Sequence, residues 1–151
     1  MSWEVAVEPY DGPIAQRLIE EVQAEYVVRY GSVDESPVDP GEFTPPRGLL
    51  LVGSADGVPV AMGGFRVWLP GVAEIKRMYV PAQHRGNGYS RRLLVSIEQA
   101  ARDAGCTEVW LNTGIQQPEA IGLYESSGYL TIAPFGHYAD APDACFYGKP
   151  L

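Results

Sequence analysis

Cysteine is scarce in this chain. Only Cys106 and Cys145 occur in 151 residues, far apart and in neither a CxxC pair nor a metal-ligand spacing. That excludes a disulfide framework and a zinc site built on thiolates, and leaves two reduced, buried thiols in a cytoplasmic protein. No metal-ligating cluster is visible, so no metal is expected. Long apolar runs are also missing: nothing approaches the roughly 20 residues that span a bilayer, and no membrane partner is expected. The start, Met1-Ser-Trp-Glu-Val, lacks a basic segment followed by an apolar one, so no secretory signal is expected. Positive charge is in deficit, with 11 Lys and Arg against 19 Asp and Glu and a formal net charge of −8. Such a molecule should repel nucleic acid. Internal repeats and low-complexity segments are absent. What is present, 46% hydrophobic and 20% charged residues, is an ordinary globular balance, and the length suits one domain over residues 1–151.

Periodicity orders the elements. Trp3-Glu-Val-Ala-Val-Glu alternates as a half-buried strand does. Pro13 opens a helix in which Ile14, Leu18, Val22 and Tyr26 recur every four residues, with Ala15, Ile19 and Val27 widening the stripe. Residues 31–48, with Pro37, Pro40, Pro45 and Pro46, read as an ordered but irregular connection. Two strands follow, Leu49–Gly53 and Val58–Trp68, joined around Asp56-Gly57, a strong hairpin signal. Pro70-Gly71 turns the chain into a strand near Ala73–Val80 that Pro81 ends. Leu93, Leu94, Ile97, Ala100, Ala101 and Ala104 then form one helical face, capped at Gly105. Glu108–Thr113 is the next strand. Pro118 starts a helix carrying Ala120, Ile121, Leu123 and Tyr124, and Gly128 stops it. Final strands are expected at Tyr129–Pro134 and Ala144–Lys149. The result is a β-α-β-β-β-α-β-α-β-β order in the α/β class. Its mixed sheet should be parallel near the middle and antiparallel at the hairpin end.

Charge is unevenly placed. Residues 76–92 hold Lys76, Arg77, Arg85, Arg91 and Arg92 and no carboxylate. Within them Arg85-Gly-Asn-Gly-Tyr-Ser lies between a strand end and a helix start. Glycines allow close backbone approach, and a first helical turn presents unpaired N–H groups with a positive dipole end. Such a place suits a pyrophosphate, and nearby arginines suit further phosphate. The same spacing also fits an ordinary glycine-rich loop with a solvated basic patch. No GxxxxGK[ST] loop is present, and no GxGxxG follows the first strand.

The stretch Ile75-Lys-Arg-Met-Tyr-Val-Pro-Ala-Gln-His-Arg-Gly-Asn-Gly-Tyr-Ser-Arg-Arg-Leu-Leu resembles the acetyl-CoA signature of the GNAT superfamily of N-acetyltransferases. Arg85, Gly88 and Ser90 hold the places of its Arg/Gln-x-x-Gly-x-Gly/Ala pattern, with Ser90 a small departure. Ala120-Ile-Gly-Leu-Tyr-Glu-Ser-Ser-Gly-Tyr is similar to the family's second motif. Gln117 stands where the family often has Asn. The element order fits the family's fold over essentially the whole chain. The resemblance implies a V-shaped gap where Glu74–Val80 and Glu108–Thr113, parallel strands, splay apart. It implies acetyl-CoA as cosubstrate, with Met78, Tyr79 and Val80 along the pantetheine arm. Gly86, Asn87, Gly88, Tyr89 and Ser90, with Arg85, would hold the pyrophosphate, and Asn112 and Gln117 would line the same gap.

The activity so implied is transfer of acetyl to a primary amine, a small cation or a protein amine, by direct attack in a ternary complex. An acyl-CoA-binding regulatory module without turnover is the alternative. Tyr124 takes the position of a family tyrosine that points at the CoA sulfur. A phenol near pKa ~10 can protonate a thiolate of parent pKa ~8.5, more readily where hydrogen bonds lower its own. Glu74 is the candidate base, direct or through water, or else a strand-surface ion pair with Lys76 or Arg77. Tyr26, Tyr30 and the loop 31–47 occupy the region that shapes the acceptor site in the family. The loop's Asp34, Glu35, Asp39 and Glu42 against Arg47 would attract a cation, or serve solubility. His137 and Tyr138 either face the acceptor or lie exposed. A homodimer through the sheet edge or face is a further expectation.

Overall fold

A computed structural model describes Met1–Leu151. Strand β1 is Trp3–Glu8, helix α1 Pro13–Tyr30, β2 Gly48–Ala55, β3 Val58–Leu69 and β4 Val72–Tyr79. Helix α2 is Tyr89–Asp103, β5 Glu108–Gly114, α3 Pro118–Ser126, β6 Leu130–Thr131 and β7 Ala144–Pro150. This is the order expected from periodicity, with short 3-10 turns added at Pro40–Phe43 and Ala82–His84. The punctuation residues behave as their chemistry requires. Pro13 and Pro118 sit in first helical turns where a missing N–H costs nothing. Asp56 and Gly57 both take positive φ, 49° and 81°, the backbone that a two-residue hairpin with right-handed twist needs.

The seven strands form one sheet in the order β1-β2-β3-β4-β5-β7-β6. Every neighbouring pair is antiparallel except β4 and β5. One core cluster lies under α2 and α3 and includes Phe65, Leu93, Leu94, Ile97, Val109 and Leu111. A second lies under α1, where Leu18, Ile19 and Val22 meet Leu50, Val52 and Met62. Each helix therefore buries one stripe against the pleated sheet, and apolar burial holds the layers together.

Three expectations change. The last-but-one strand shrinks from 129–134 to Leu130–Thr131, because only those residues pair with β7. Val27 is 47% exposed and leaves the α1 stripe. Ala100 and Ala104 lie at the margin of α2 outside its buried set, Leu93, Leu94, Ile97, Glu98 and Ala101.

Candidate active site

The β4–β5 ladder is short. It holds Val72↔Glu108, Ala73↔Val109 and Glu74↔Trp110, and then pairing ends. Beyond that point the two strands diverge and leave facing main-chain groups without a strand partner. A cavity of about 250 Å³ occupies the divergence. Met78, Tyr79, Val80, Arg85, Gly86 and Gly88 line it on the β4–α2 side, with Tyr89 and Ser90 from the first turn of α2. Asn112, Gln117 and Tyr124 line it on the β5–α3 side. Asn87 does not; its amide donates to the carbonyl of His84 at 3.0 Å and shapes the loop.

The entry to α2 is open. Gly88 is its N-cap, at φ 77° and with no side-chain cap, and the first intrahelical bond to Gly88 comes from the N–H of Arg92. The N–H groups of Tyr89, Ser90 and Arg91 are thus free for an anion. A Cβ built on Gly86 or Gly88 would meet no protein atom within 4 Å. This is space beside a glycine turn, as a pyrophosphate would need.

The basic residues around this turn do not form a free patch. Arg85 donates to the carbonyl of Val80 at 2.9 Å and pairs with Glu25 at 2.6 Å. Arg91 reaches the hydroxyls of Ser126 and Ser127, and Arg92 lies over the Trp3 ring at 4.9 Å. Lys76 and Arg77 are buried and pair with Asp34. Distant acids thus neutralise Arg85, Lys76 and Arg77, while Arg91 and Arg92, held by hydroxyls and a ring, keep their charge beside the start of α2.

Tyr124 is 4% exposed, its ring set edge-on to Tyr129 at 5.4 Å. Its hydroxyl has no protein hydrogen-bond partner and is left to the cavity. Burial, with the Tyr26 phenol adding to it, raises the Tyr124 phenol above its ordinary range. No hydrogen bond is present to lower it.

A second cavity, of about 280 Å³, adjoins the first on the α1 side. The two share Tyr26, Lys76, Arg77, Asn112, Thr113 and Gln117. Tyr30 lines the second, and donates to Gln117 Oε1 at 3.0 Å. Gly114 makes room for it, since a Cβ there would overlap the Tyr30 hydroxyl. Of the pair at the 137–138 turn it is Tyr138, not His137, that lines this cavity. His137 turns instead to a polar third cavity, of about 350 Å³, beside Arg66 and Glu74.

Glu74 is 3% exposed. It pairs with neither Lys76 nor Arg77 but accepts from Arg66 Nε at 2.8 Å, its opposite number across the β3–β4 ladder. Only Oε1 is engaged, so Oε2 stays open to the polar cavity. Lys76 and Asn112 line all three cavities and stand where they meet.

The loop 31–47 is not a free acidic rim. Asp34 is spent on Lys76 and Arg77, Glu42 on Arg66, and Asp39 caps the turn Pro40–Phe43, which leaves Glu35, exposed and without a side-chain partner, as the free acid of the four. Sequence reasoning missed His84, Thr113 and Glu25 in the first cavity. Thr113 follows Asn112, and a gap-lining run at the end of β5 would have indicated it. Glu25 comes from α1, with no local signal.

The Acetyltransferase (GNAT) family profile matches residues 15–129. An IAA acetyltransferase of Azospirillum brasilense is 35% identical over 136 residues, 89% of each chain. A Klebsiella pneumoniae protein, provisionally described as an acyl-CoA N-acyltransferase, superposes with TM-score 0.83 at 29% identity, covering 99% of this chain and 97% of that one. PaiA N-acetyltransferase of Thermoplasma acidophilum, solved in complex with coenzyme A, shares the fold. Its TM-score is 0.74 at 15% identity, with both chains covered in full. The family profile and the Azospirillum relative make the class that of an acetyltransferase. The chain belongs to the GNAT acetyltransferase family.

Proposed function

We propose that the protein is an N-acetyltransferase that moves an acetyl group from acetyl-CoA to a primary amine by direct attack in a ternary complex. The observation that carries this is the end of the β4–β5 ladder at Glu74↔Trp110, which opens one gap into two adjoining cavities. The first fits the cosubstrate. N–H groups of Tyr89, Ser90 and Arg91 with the Gly86–Gly88 turn would hold the pyrophosphate, and main chain of Met78 to Val80 would pair with the pantetheine arm. That the Thermoplasma protein, of the same fold, was solved with coenzyme A supports a coenzyme A cosubstrate. Bound in the first cavity, acetyl-CoA supplies the activated acetyl carbon.

The second cavity would hold the amine. Neither Cys106 nor Cys145 lines either cavity, which favours direct attack over an acylated cysteine. A nitrogen nucleophile suits the site better than a hydroxyl, since no histidine lines the second cavity to activate an alcohol. The C–N bond forms as the C–S bond breaks. Tyr124 gives its proton to the departing sulfur. Burial disfavours the phenolate, but it disfavours a CoA thiolate in the same gap too, so the proton transfer remains balanced. Glu74 accepts the ammonium proton through water in the polar cavity, using Oε2. With acetyl-CoA and a panel of amines, initial-rate plots should intersect as CoA is released. Parallel lines would instead mark an acyl-enzyme.

A further inference from the structure

The second cavity is lined by hydrogen-bond donors that the protein does not use. Asp34, the acid nearest its floor, has none of its acceptor capacity left. Its Oδ1 accepts from the Ser36 N–H at 3.0 Å, the Ser36 hydroxyl at 2.8 Å and the Tyr138 hydroxyl at 2.8 Å. Its Oδ2 takes Arg77 Nη1 at 2.6 Å and Lys76 Nζ at 3.4 Å. A carboxylate has about four lone-pair sites, so nothing remains for a ligand ammonium.

The cations are not saturated. Arg77 spends Nε on Tyr10 at 3.1 Å and Nη1 on Asp34, while Nη2 has no protein partner. No buried side-chain nitrogen lacks a partner, so Nη2 is accessible, on the wall that Arg77 gives to both the first and the second cavity. Lys76 has three donors, of which Ser36 Oγ takes one at 2.7 Å and Asp34 another.

The backbone arranges this. Neighbours on a strand point to opposite faces, yet Lys76 and Arg77 meet the same carboxylate. Arg77 sits at φ 63° where the β3–β4 register slips opposite Gly63, a bulge that turns its side chain to the Lys76 side. A long side chain in the left-handed region is strained, and such strain gathers at sites that use it. Among the other lining residues Asp143 is the one carboxylate without an ion pair, on the loop before β7.

We propose that the acceptor amine carries a carboxylate, held by Arg77 Nη2 with Lys76 beside it, so that the substrate is of the amino-acid type. Asp143 then faces the ammonium before it loses its proton. The inference rests on the acetyl-transfer reading above.

The test uses the twenty L-amino acids, each beside its carboxamide and its decarboxylated amine, with acetyl-CoA and the wild-type chain. The best amino acid should exceed both its analogues by roughly 10–100-fold in kcat/KM, mostly through KM. Tyr138→Phe frees a lone pair on Asp34 and should narrow that ratio while the CoA affinity holds. Calorimetry on the CoA-saturated chain separates the two claims. Amino-acid binding without turnover keeps the carboxylate site and overturns acetyl transfer to that amine. Turnover of amides or simple amines at equal or better kcat/KM overturns the carboxylate site and leaves the transfer standing. Absence of both binding and turnover across all carboxylates overturns the site as well.

Discussion

Arg66 and Glu74 stand directly opposite on β3 and β4, Nε 2.8 Å from Oε1, and Glu42 closes on the same guanidinium at 2.9 Å. Further along β4, Asp34 holds Lys76 and Arg77. Three acids and three bases thus balance along one edge of the gap. Glu74→Gln leaves Arg66 buried with one partner fewer and should cost about 3 kcal/mol in urea unfolding. If Glu74 also takes the amine proton, kcat should fall about 100-fold with KM for acetyl-CoA unchanged. A stability loss with normal kcat would leave Glu74 a purely structural residue.

Tyr124→Phe keeps the ring against Tyr129 and removes only the hydroxyl. Folding and acetyl-CoA affinity should survive while kcat drops about 10²–10⁴-fold. Burial holds the phenol above its ordinary value. The wild-type kcat should accordingly show no loss of this proton as pH passes 10, and an alkaline limb below that would report another group. Near-normal turnover by the variant would assign the proton to water or to the amine.

Gly88→Glu places a carboxylate at the open entry to α2, where no protein atom crowds the new Cβ. The φ of 77° adds strain of about 1–2 kcal/mol. Calorimetry should show a large loss of CoA affinity in a chain that still melts cooperatively. Retained affinity would move the pyrophosphate elsewhere.

Asp34 is a stability residue by the same geometry. Burial alone would raise its carboxyl, but Lys76, the Ser36 N–H, Arg77 and the Ser36 hydroxyl together hold it far below the ordinary carboxylate range. A group depressed on folding stabilises above its unfolded pKa and loses that contribution as pH falls through the folded one. Wild-type Tm should decline below about pH 4, and more steeply than that of Asp34→Asn, which should start roughly 3 kcal/mol less stable at neutral pH.

Local chemistry made the fold legible. Asp56-Gly57, Pro13, Pro118 and the helical stripes act within a few residues of themselves, and periods of 2 and 3.6 carry the element order. The glycine turn at 86–88 was legible for the same reason. The cation partners were not: Lys76 meets Ser36 and Asp34 some forty residues upstream, and no spacing rule encodes such a meeting. The bulge at Arg77 escaped too, because an alternating pattern assumes every residue on β4 faces its proper side. Hence an acidic loop that looked free for a ligand is tied through Asp34 to β4 and through Glu42 to β3, and Tyr138 rather than His137 lines the second cavity.

The three rungs between β4 and β5 have a mechanical consequence. They are the only strand pairing between two leaves, β1–β4 with α1 and β5–β7 with α3, which α2 otherwise joins through side chains. Beyond those rungs the facing amides have no ladder partner, so main-chain amides of 75–79 and 111–114 that face the gap should exchange hydrogen faster than those of the β2–β3 ladder. A molecule threaded there would act as a missing stave between the leaves. Exchange in this seam should then slow on adding coenzyme A, while the outer hairpin keeps its own rhythm.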